Sequence, residues 1–401
     1  MSPVSCPANY GPLPASLKLK TGQIFTGTSF GAPVSTFGEA VFTTSLVGYP
    51  ESMTDPSYTG QILVFTQPLI GNYGVPSQVQ DEFGLYKYFE SDRIQVQGII
   101  VNDYAINYSH WTAVESLSEW CIRHNVPAIS GVDTRALTQL LREQGSTLGQ
   151  ISIGEESLID NISSINFPNP NEENLVAKVS TKVPVTYNPK GDVKIAVVDC
   201  GVKQNILRCL ASRGASVTVV PHDYDFNEFA GQFDGLFISN GPGSPVMCEE
   251  TIKNIKVAIE TFNKPIFGIC MGNLLLGMAA GLDVYKLPFG NRGHNQPALN
   301  VDTGLCYITS QNHGYALNDT AMPKDWKRLF VNANDGSNEG IQHESKPIFS
   351  VQFHPEAKGG PQDTTYLFES FLSEVRSQKV DKESYHIAIS DVKQSTIAAI
   401  A

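Results

Sequence analysis

The sequence predicts an α/β protein of two domains, the C-terminal one built on a doubly wound sheet. Three observations predict it. From Lys194 onward, apolar β-prone runs alternate with helix-period runs: Ile195 to Val198, Asn205 to Ser212, Ser216 to Val220, Leu236 to Ser239, Thr251 to Phe262 and Pro265 to Ile269. The N-terminal half instead alternates short β runs with Gly/Pro turns and a few helices, which reads as a mixed α/β domain. Between them lies a stretch rich in Asn, Pro, Ser and Glu, typified by Asn166-Phe-Pro-Asn-Pro-Asn-Glu-Glu173, with the composition of a connection. A chain of 401 residues is the right size for two domains.

The expected boundaries are an N-terminal extension over 1–16, a first domain over 17–154, a linker over 155–192, a second domain over 193–376 and a weakly ordered tail over 377–401. Strands are expected at Gln23-Ile-Phe25, Gln61 to Phe65 and Val96 to Val101, and helices over Ala113 to Arg123 and Thr134 to Arg142. In the second domain Asp234 to Asn240 reads as a strand ending in the tight loop Gly241-Pro-Gly-Ser-Pro245. Pro265 to Ile269 reads as a buried strand and Asn273 to Leu282 as the apolar helix behind it. Ile348 to Phe353 is a further β-prone run that ends at His354.

Cys270 occupies the turn between the strand and the helix, with Gly268 and Gly272 two residues to either side. This is the nucleophile-elbow spacing, in which a sharp strand-to-helix turn leaves no room for side chains beside the nucleophile. A helix N-terminus there favours a thiolate. Alone, the motif fits a buried core cysteine beside two turn glycines equally well. His354-Pro355-Glu356 adds the second half: in an extended chain residues i and i+2 point the same way, so Glu356 reaches the His354 side chain. A thiol nucleophile needs a base, and the base needs an orienting acceptor on its other nitrogen. The chain order Cys, His, Glu differs from that of α/β-hydrolases and argues against an esterase. The Gly241 loop offers unobstructed backbone N–H groups suited to an oxyanion hole.

Phe267-Gly-Ile-Cys-Met-Gly272, Ser239-Asn-Gly-Pro-Gly243, Thr309-Ser-Gln-Asn-His-Gly-Tyr315 and Gln352-Phe-His-Pro-Glu356 resemble the class I, triad-type glutamine amidotransferases. Asn291-Arg-Gly-His-Asn-Gln-Pro297 narrows the resemblance to the glutaminase of carbamoyl-phosphate synthase. The segments from Phe42 to Tyr58 and from Gln67 to Pro76 resemble the domain found only in the small subunit of that enzyme. The likeness runs from about residue 17 to about residue 375 and is greatest to the arginine-pathway small chains of fungi. It implies that Cys270 attacks the glutamine side-chain amide and carries a γ-glutamyl thioester, with His354 as base and then acid and Glu356 orienting it. It implies an oxyanion hole from the N–H groups of Gly241 and Met271. Ser57, Gly241, Gly243, Met271, Leu274, Asn312, Gly314 and Tyr315 match positions that hold glutamine, Ser57 from the other domain. His313 is expected as a structural neighbour of that loop, and Arg292 as a surface or interface residue.

One departure stands out. The family usually reads C-x-G-H-Q after the elbow, with the glutamine contacting substrate, whereas this chain reads Cys270-Met-Gly-Asn-Leu274. Losing one neutral hydrogen bond costs about 1 kcal/mol, and up to about 3 if a substrate group is left buried and unpaired. Gly-Asn-Leu-x-x-Gly also resembles the ammonia-dependent urea-cycle synthases, whose glutaminase domain has lost its cysteine. A working glutaminase is therefore the expectation, and a non-catalytic or weakly active regulatory subunit of an ammonia-dependent synthase the alternative. A cysteine peptidase is a third, disfavoured reading.

Composition bounds the rest. A net charge of −12 argues against a nucleic-acid partner. Seven irregularly spaced cysteines form no disulfide framework, and no CxxC pair or His cluster suggests a metal site. No stretch reaches the roughly 20 apolar residues of a membrane span. The first ten residues lack an apolar core or arginine, so a cytoplasmic location is expected, with the mitochondrial matrix as the alternative because some related fungal chains reside there. No G-x-x-x-x-G-K-[ST] loop is present. No cofactor is expected on this chain. By resemblance, ATP and Mg belong to a large carbamoyl-phosphate synthase subunit, the expected partner, which receives ammonia made from L-glutamine through a protein tunnel.

Overall fold

The computed structural model describes residues 11–158, 161–356 and 358–380. Residues 1–10 of the expected extension and 381–401 of the expected tail lie outside the described residues. Among the described residues no helix is long and apolar enough to cross a membrane.

The N-terminal half closes into a seven-stranded barrel. Its strands run in the order Pro14–Leu19, Thr147–Ile153, Thr36–Thr43, Gln61–Phe65, Gly98–Ile100, Ala128–Ser130 and Ile24–Ser29. Alternation along single strands builds two cores. Ala40, Phe42, Ile62 and Val64 join one cluster with Leu17, Ile129 and Leu141, while Val41, Leu63 and Phe65 join the other with Ile99, Leu117 and Trp120. Consecutive residues thus serve opposite faces, as the pleat requires, and closure removes exposed sheet edges.

The helix expected over 113–123 is shorter in the structure. Ala113–Glu115 is a strand paired with Val75–Pro76, and the helix covers Leu117–Arg123. Ser116 stops it from extending backward. Its hydroxyl accepts from the Glu119 N–H while the Glu119 carboxylate reaches back to the Ser116 N–H, a complete capping box.

The C-terminal half is a ten-stranded sheet. Its centre is parallel, with Ser216–Pro221, Lys194–Asp199, Gly235–Ile238, Ile266–Ile269 and Ile348–Val351 in that order. Both faces are buried. Ile195, Val197, Phe237 and Phe267 pack with Ile206 and Leu210 of the helix Gln204–Ala211 and with Phe368 and Phe371 of the helix over 366–380. Ala196, Val198, Leu236 and Ile266 pack with Ile255 of Glu249–Thr261 and Leu275 of Met271–Ala280. This is the doubly wound arrangement read from the sequence. The stretch 155–192, read as linker, also supplies the sheet's edge strand Val185–Tyr187, paired with Ser216–Pro221.

Four antiparallel strands extend the sheet: Asn338–His343, Trp326–Asn332, Asp283–Asn300 and Cys306–Asn318. The pairing of the last two shifts register between Lys286 and Asn291 and again between Gly293 and Gln296. Those irregularities carry the ribbon across to the barrel. The Arg292 carbonyl accepts from the Thr44 N–H at 3.1 Å, the rings of Phe42 and Phe289 stack, and Lys286 pairs with Glu39 of the barrel strand Thr36–Thr43. Bulges placed this way re-aim side chains toward a site.

Candidate active site

The strand Ile266–Ile269 delivers Cys270 into a backbone conformation of φ 54° and ψ −101°, a sparsely populated region for a residue with a Cβ and a place where strain is stored at functional sites. The surroundings hold it there. The Cys270 N–H donates to the Val351 carbonyl at 2.8 Å, and its carbonyl accepts from Asn273 and Leu274 at 3.0 and 3.2 Å. A Cβ on Gly268 would lie 2.7 Å from the Gly272 carbonyl oxygen, and one on Gly272 would lie 2.2 Å from that of Ile238. Both glycines are therefore steric requirements of the turn. Asn273 ties the elbow to the neighbouring strand, accepting from the Ser350 hydroxyl and donating to the Gln352 side chain, both at 2.8 Å.

His354 follows that strand. Its N–H donates to the Ser310 carbonyl at 2.7 Å, and its Nδ1 meets Glu356 Oε1 at 2.7 Å. Lys203, in the loop after Lys194–Asp199, donates from Nζ to the same oxygen at 2.9 Å. Cys270, His354, Glu356 and Lys203 are all buried. Burial works against the charged imidazolium, but the Glu356 carboxylate outweighs it, and with help from the Cys270 sulfur His354 is pushed up to about 10. Burial also opposes the Glu356 charge, yet Lys203 and then His354 hold that carboxyl down at about 2. Desolvation pulls Lys203 down, and Glu356, Asp55 and Glu90 more than reverse it. The His354 ring is thus anchored on a carboxylate with a cation behind it, an arrangement that favours its charged form.

A cavity of about 460 Å³, open mouth included, brings together Cys270, Gly241, Gly243, Met271, Leu274, Ser57, Asn312, Gly314 and Tyr315. Met271 is the first residue of its helix, so its N–H has no acceptor within the helix. Gly241 admits no side chain, since a Cβ would sit 2.0 Å from the Cys200 carbonyl oxygen. Ser57 arrives from the barrel half in the turn Pro56–Tyr58, capped by Asp55, which accepts its N–H at 2.9 Å. The same turn is locked onto the other half: Asn240 donates to the Ser57 hydroxyl at 2.9 Å and Asn312 to Asp55 at 3.1 Å. The Cys270 thiol approaches the Asn312 carbonyl at 3.6 Å.

Leu274 is buried in this wall with its apolar side chain. His313 is buried too, its Nδ1 2.9 Å from the Tyr315 carbonyl oxygen and its Nε2 3.2 Å from Gln311, so it braces the loop. Arg292 corrects one half of its reading as a surface or interface residue. It is not a surface residue but lines the cavity, because the register shift at Asn291 turns this part of the strand inward.

Sequence reasoning missed several residues here. Glu39, Gln61 and Asn171 line the cavity, the first two from barrel strands and Asn171 from the connecting segment. Lys286 joins them through its ion pair with Glu39. Glu39 is held below the ordinary carboxyl value: burial raises it, but Lys286 first and then Arg292 prevail. Lys203 had no local signal at all, since its partner lies 153 residues away.

A second cavity, about 410 Å³ with its mouth, adjoins the first across Asn312 and is lined by His354, Lys203, Glu51 and Glu90 among others. Burial pushes the Glu51 carboxyl up to about 7.

Both halves of the chain match known families. Residues 196–373 match the family "Glutamine amidotransferase class-I", and residues 17–151 match "Carbamoyl-phosphate synthase small chain, CPSase domain". The chain is 59% identical over 372 residues to the carbamoyl phosphate synthase arginine-specific small chain of Chaetomium globosum, covering 92% of this chain and 80% of that one. The protein of the same name from Neurospora crassa is 58% identical over 372 residues, 92% of this chain and 82% of its own. That from Hypocrea virens is 58% identical over 376 residues, 94% and 83%.

Proposed function

The chain belongs to the carbamoyl phosphate synthase small-chain family, and from that membership and the site we propose that it is the glutamine-hydrolysing subunit of an arginine-pathway carbamoyl phosphate synthase. The observation that carries the chemistry is the buried Cys270, His354, Glu356 and Lys203 chain at the mouth of a strained elbow.

The Cys270 sulfur, its proton given to His354, attacks the side-chain amide carbon of glutamine. The tetrahedral oxyanion is received by the Gly241 and Met271 N–H groups, where preorganised donors act on charge that develops only in the transition state. The imidazolium returns its proton to the leaving nitrogen, ammonia departs, and a γ-glutamyl thioester remains on Cys270. His354 then takes a proton from water, which attacks the thioester. Glutamate leaves and the thiol is restored. Glu356 orients the ring throughout, and Lys203 fixes Glu356. Ser57, Gly243, Asn312, Gly314 and Tyr315 hold the substrate, with Met271 and Leu274 flanking it.

The ammonia passes to a large ATP-using subunit, which supplies ATP, Mg and bicarbonate chemistry. The cytoplasm is the proposed compartment. The strained Cys270 and the His354–Glu356–Lys203 contacts favour this reading over the regulatory-subunit alternative, because backbone strain of this kind clusters at functional sites.

The test is carbamoyl phosphate formation by the copurified complex, with glutamine or ammonia as nitrogen source, for wild type and Cys270→Ser. Glutamine-dependent synthesis that the substitution abolishes supports the proposal. Synthesis from ammonia alone, indifferent to the substitution, overturns it.

A further inference from the structure

Arg292 is a charged group whose burial the protein's own groups do not account for. It is 5% exposed, yet among the described residues the one hydrogen bond of its guanidinium runs from Nη1 to the Phe289 carbonyl at 2.7 Å. Nε is buried without a partner. A guanidinium carries five N–H donors in a fixed fork, so most of them are idle. The carboxylate that acts on it most, Glu39, is already engaged by Lys286, the Ser146 hydroxyl and the Gln61 amide. A cation taken out of water without a counter-ion is strongly unfavourable, and proteins bury such groups where an anion will meet them.

The space around the fork is made for it. A Cβ on Gly290 would come 2.5 Å from Nη1, and one on Gly314 would come 3.3 Å from Nη2. Arg292 lines the same cavity as Cys270, Gly241 and Met271, and its charge interacts with both the Cys270 sulfur and Glu39. The guanidinium thus shares one cavity with the nucleophile and with the Glu39–Lys286 pair. A glutamine whose amide carbon sits at the sulfur carries its α-carboxylate roughly 5 Å further along the chain, by standard bond lengths.

We propose that Arg292 binds the α-carboxylate of glutamine through its idle N–H donors, and that the site thereby selects free L-glutamine over amides that lack this group. The inference rests on the glutaminase reading and deepens it. It also accounts for Leu274, since a charge-assisted contact from a planar fork is stronger than the neutral one that an apolar residue gives up.

The experiment uses the copurified complex, with ammonia-dependent synthesis as the control for its integrity. Wild type, Arg292→Gln and Arg292→Lys are assayed with glutamine and with 4-aminobutanamide, which keeps the amide and the amine but has no α-carboxylate. Wild type prefers glutamine. Arg292→Gln raises KM for glutamine roughly 10- to 100-fold, as loss of a charged hydrogen bond requires, with a much smaller change in kcat, and its preference over 4-aminobutanamide collapses. Arg292→Lys falls between, because a point charge lacks the fork. A wild-type KM in Arg292→Gln, or a preference that survives the change, overturns the proposal. So does a kcat loss at constant KM with a shifted pH profile of Cys270 alkylation, which assigns Arg292 to the thiolate instead.

Should Arg292→Gln fail to fold, wild type still decides. L-glutamate protects Cys270 against iodoacetamide, while 4-aminobutanoate, lacking the α-carboxylate, does not. Equal protection by both sinks the carboxylate subsite. A wild-type complex that hydrolyses no glutamine refutes the glutaminase reading itself, and the protection experiment then still reports on the subsite.

Discussion

Replacing Lys203 by Met removes the cation behind the catalytic carboxylate. Lys203 Nζ lies 2.9 Å from Glu356 Oε1, with side-chain exposures of 11% and 0%, so solvent screens this pair little. Glu356 sits at about 2 against an ordinary 4.5, and that difference of 2.5 is worth on the order of 3 kcal/mol. Lys203 is the first of the groups that lower it, ahead of His354, so most of that figure is at stake. Loss of one partner from a buried pair costs about 3–5 kcal/mol by independent reckoning. The sign follows from linkage. A carboxyl whose folded value is depressed contributes stability that is present above about 4.5 and is lost as pH falls toward about 2. In Lys203→Met the folded value climbs, so the variant is less stable at pH 7 and its acid limb moves up. Urea unfolding of the complexed small chain between neutral and mildly acid pH measures this. Glutamine-dependent synthesis falls at least about tenfold, since an unsupported Glu356 holds His354 poorly. A variant with wild-type unfolding and wild-type glutamine use would refute the reasoning.

Other perturbations separate the remaining parts of the site. Gly272→Ala places a Cβ 2.2 Å from the Ile238 carbonyl oxygen, so the elbow must shift. Glutaminase activity is expected to fall by two orders of magnitude or more, about 3 kcal/mol, with retained ammonia-dependent synthesis as the check that the complex still forms. Ser57→Ala leaves the Asn240 amide without its 2.9 Å acceptor and removes the substrate contact proposed for this hydroxyl, so KM for glutamine is expected to rise with a stability loss of about 1–3 kcal/mol, read by kinetics and thermal melting. Leu274→Gln returns a hydrogen-bonding group to the pocket wall and is expected to lower KM for glutamine several-fold, about 1 kcal/mol. His354, held up to about 10 against an ordinary 6.5, contributes stability fully present below 6.5 and lost as pH rises through about 10. Unfolding of wild type and His354→Asn across pH 6 to 10 should therefore converge at the alkaline end.

Local chemistry was legible in the sequence and long-range chemistry was not. The elbow, with Gly268, Cys270 and Gly272, and the His354-Pro-Glu356 step each lie within a few residues, where strand and helix periods dictate which side chains meet. The parallel strands were equally plain, because continuous apolar runs such as Ile195 to Val198 mark burial on both faces. The antiparallel extension was not. Its segment from Asp283 to Asn300 contains Pro288, Gly290, Gly293 and Pro297 and breaks register twice, so no alternation survives to read. Arg292 was misplaced for that reason. Glu39 with Lys286, and Lys203 with Glu356, join residues 247 and 153 positions apart, which no periodicity anticipates. Asn171 was hidden inside a segment that reads as connection.

The central claim is that Cys270 carries the glutamine-derived acyl group. Acid quenching of the complex turning over labelled glutamine, followed by peptide mapping, tests it most directly. The account predicts a γ-glutamyl thioester on the peptide containing Cys270, absent in Cys270→Ser and longer-lived in His354→Asn. Glutamine consumed with no label on Cys270, or label carried by another residue, would contradict it.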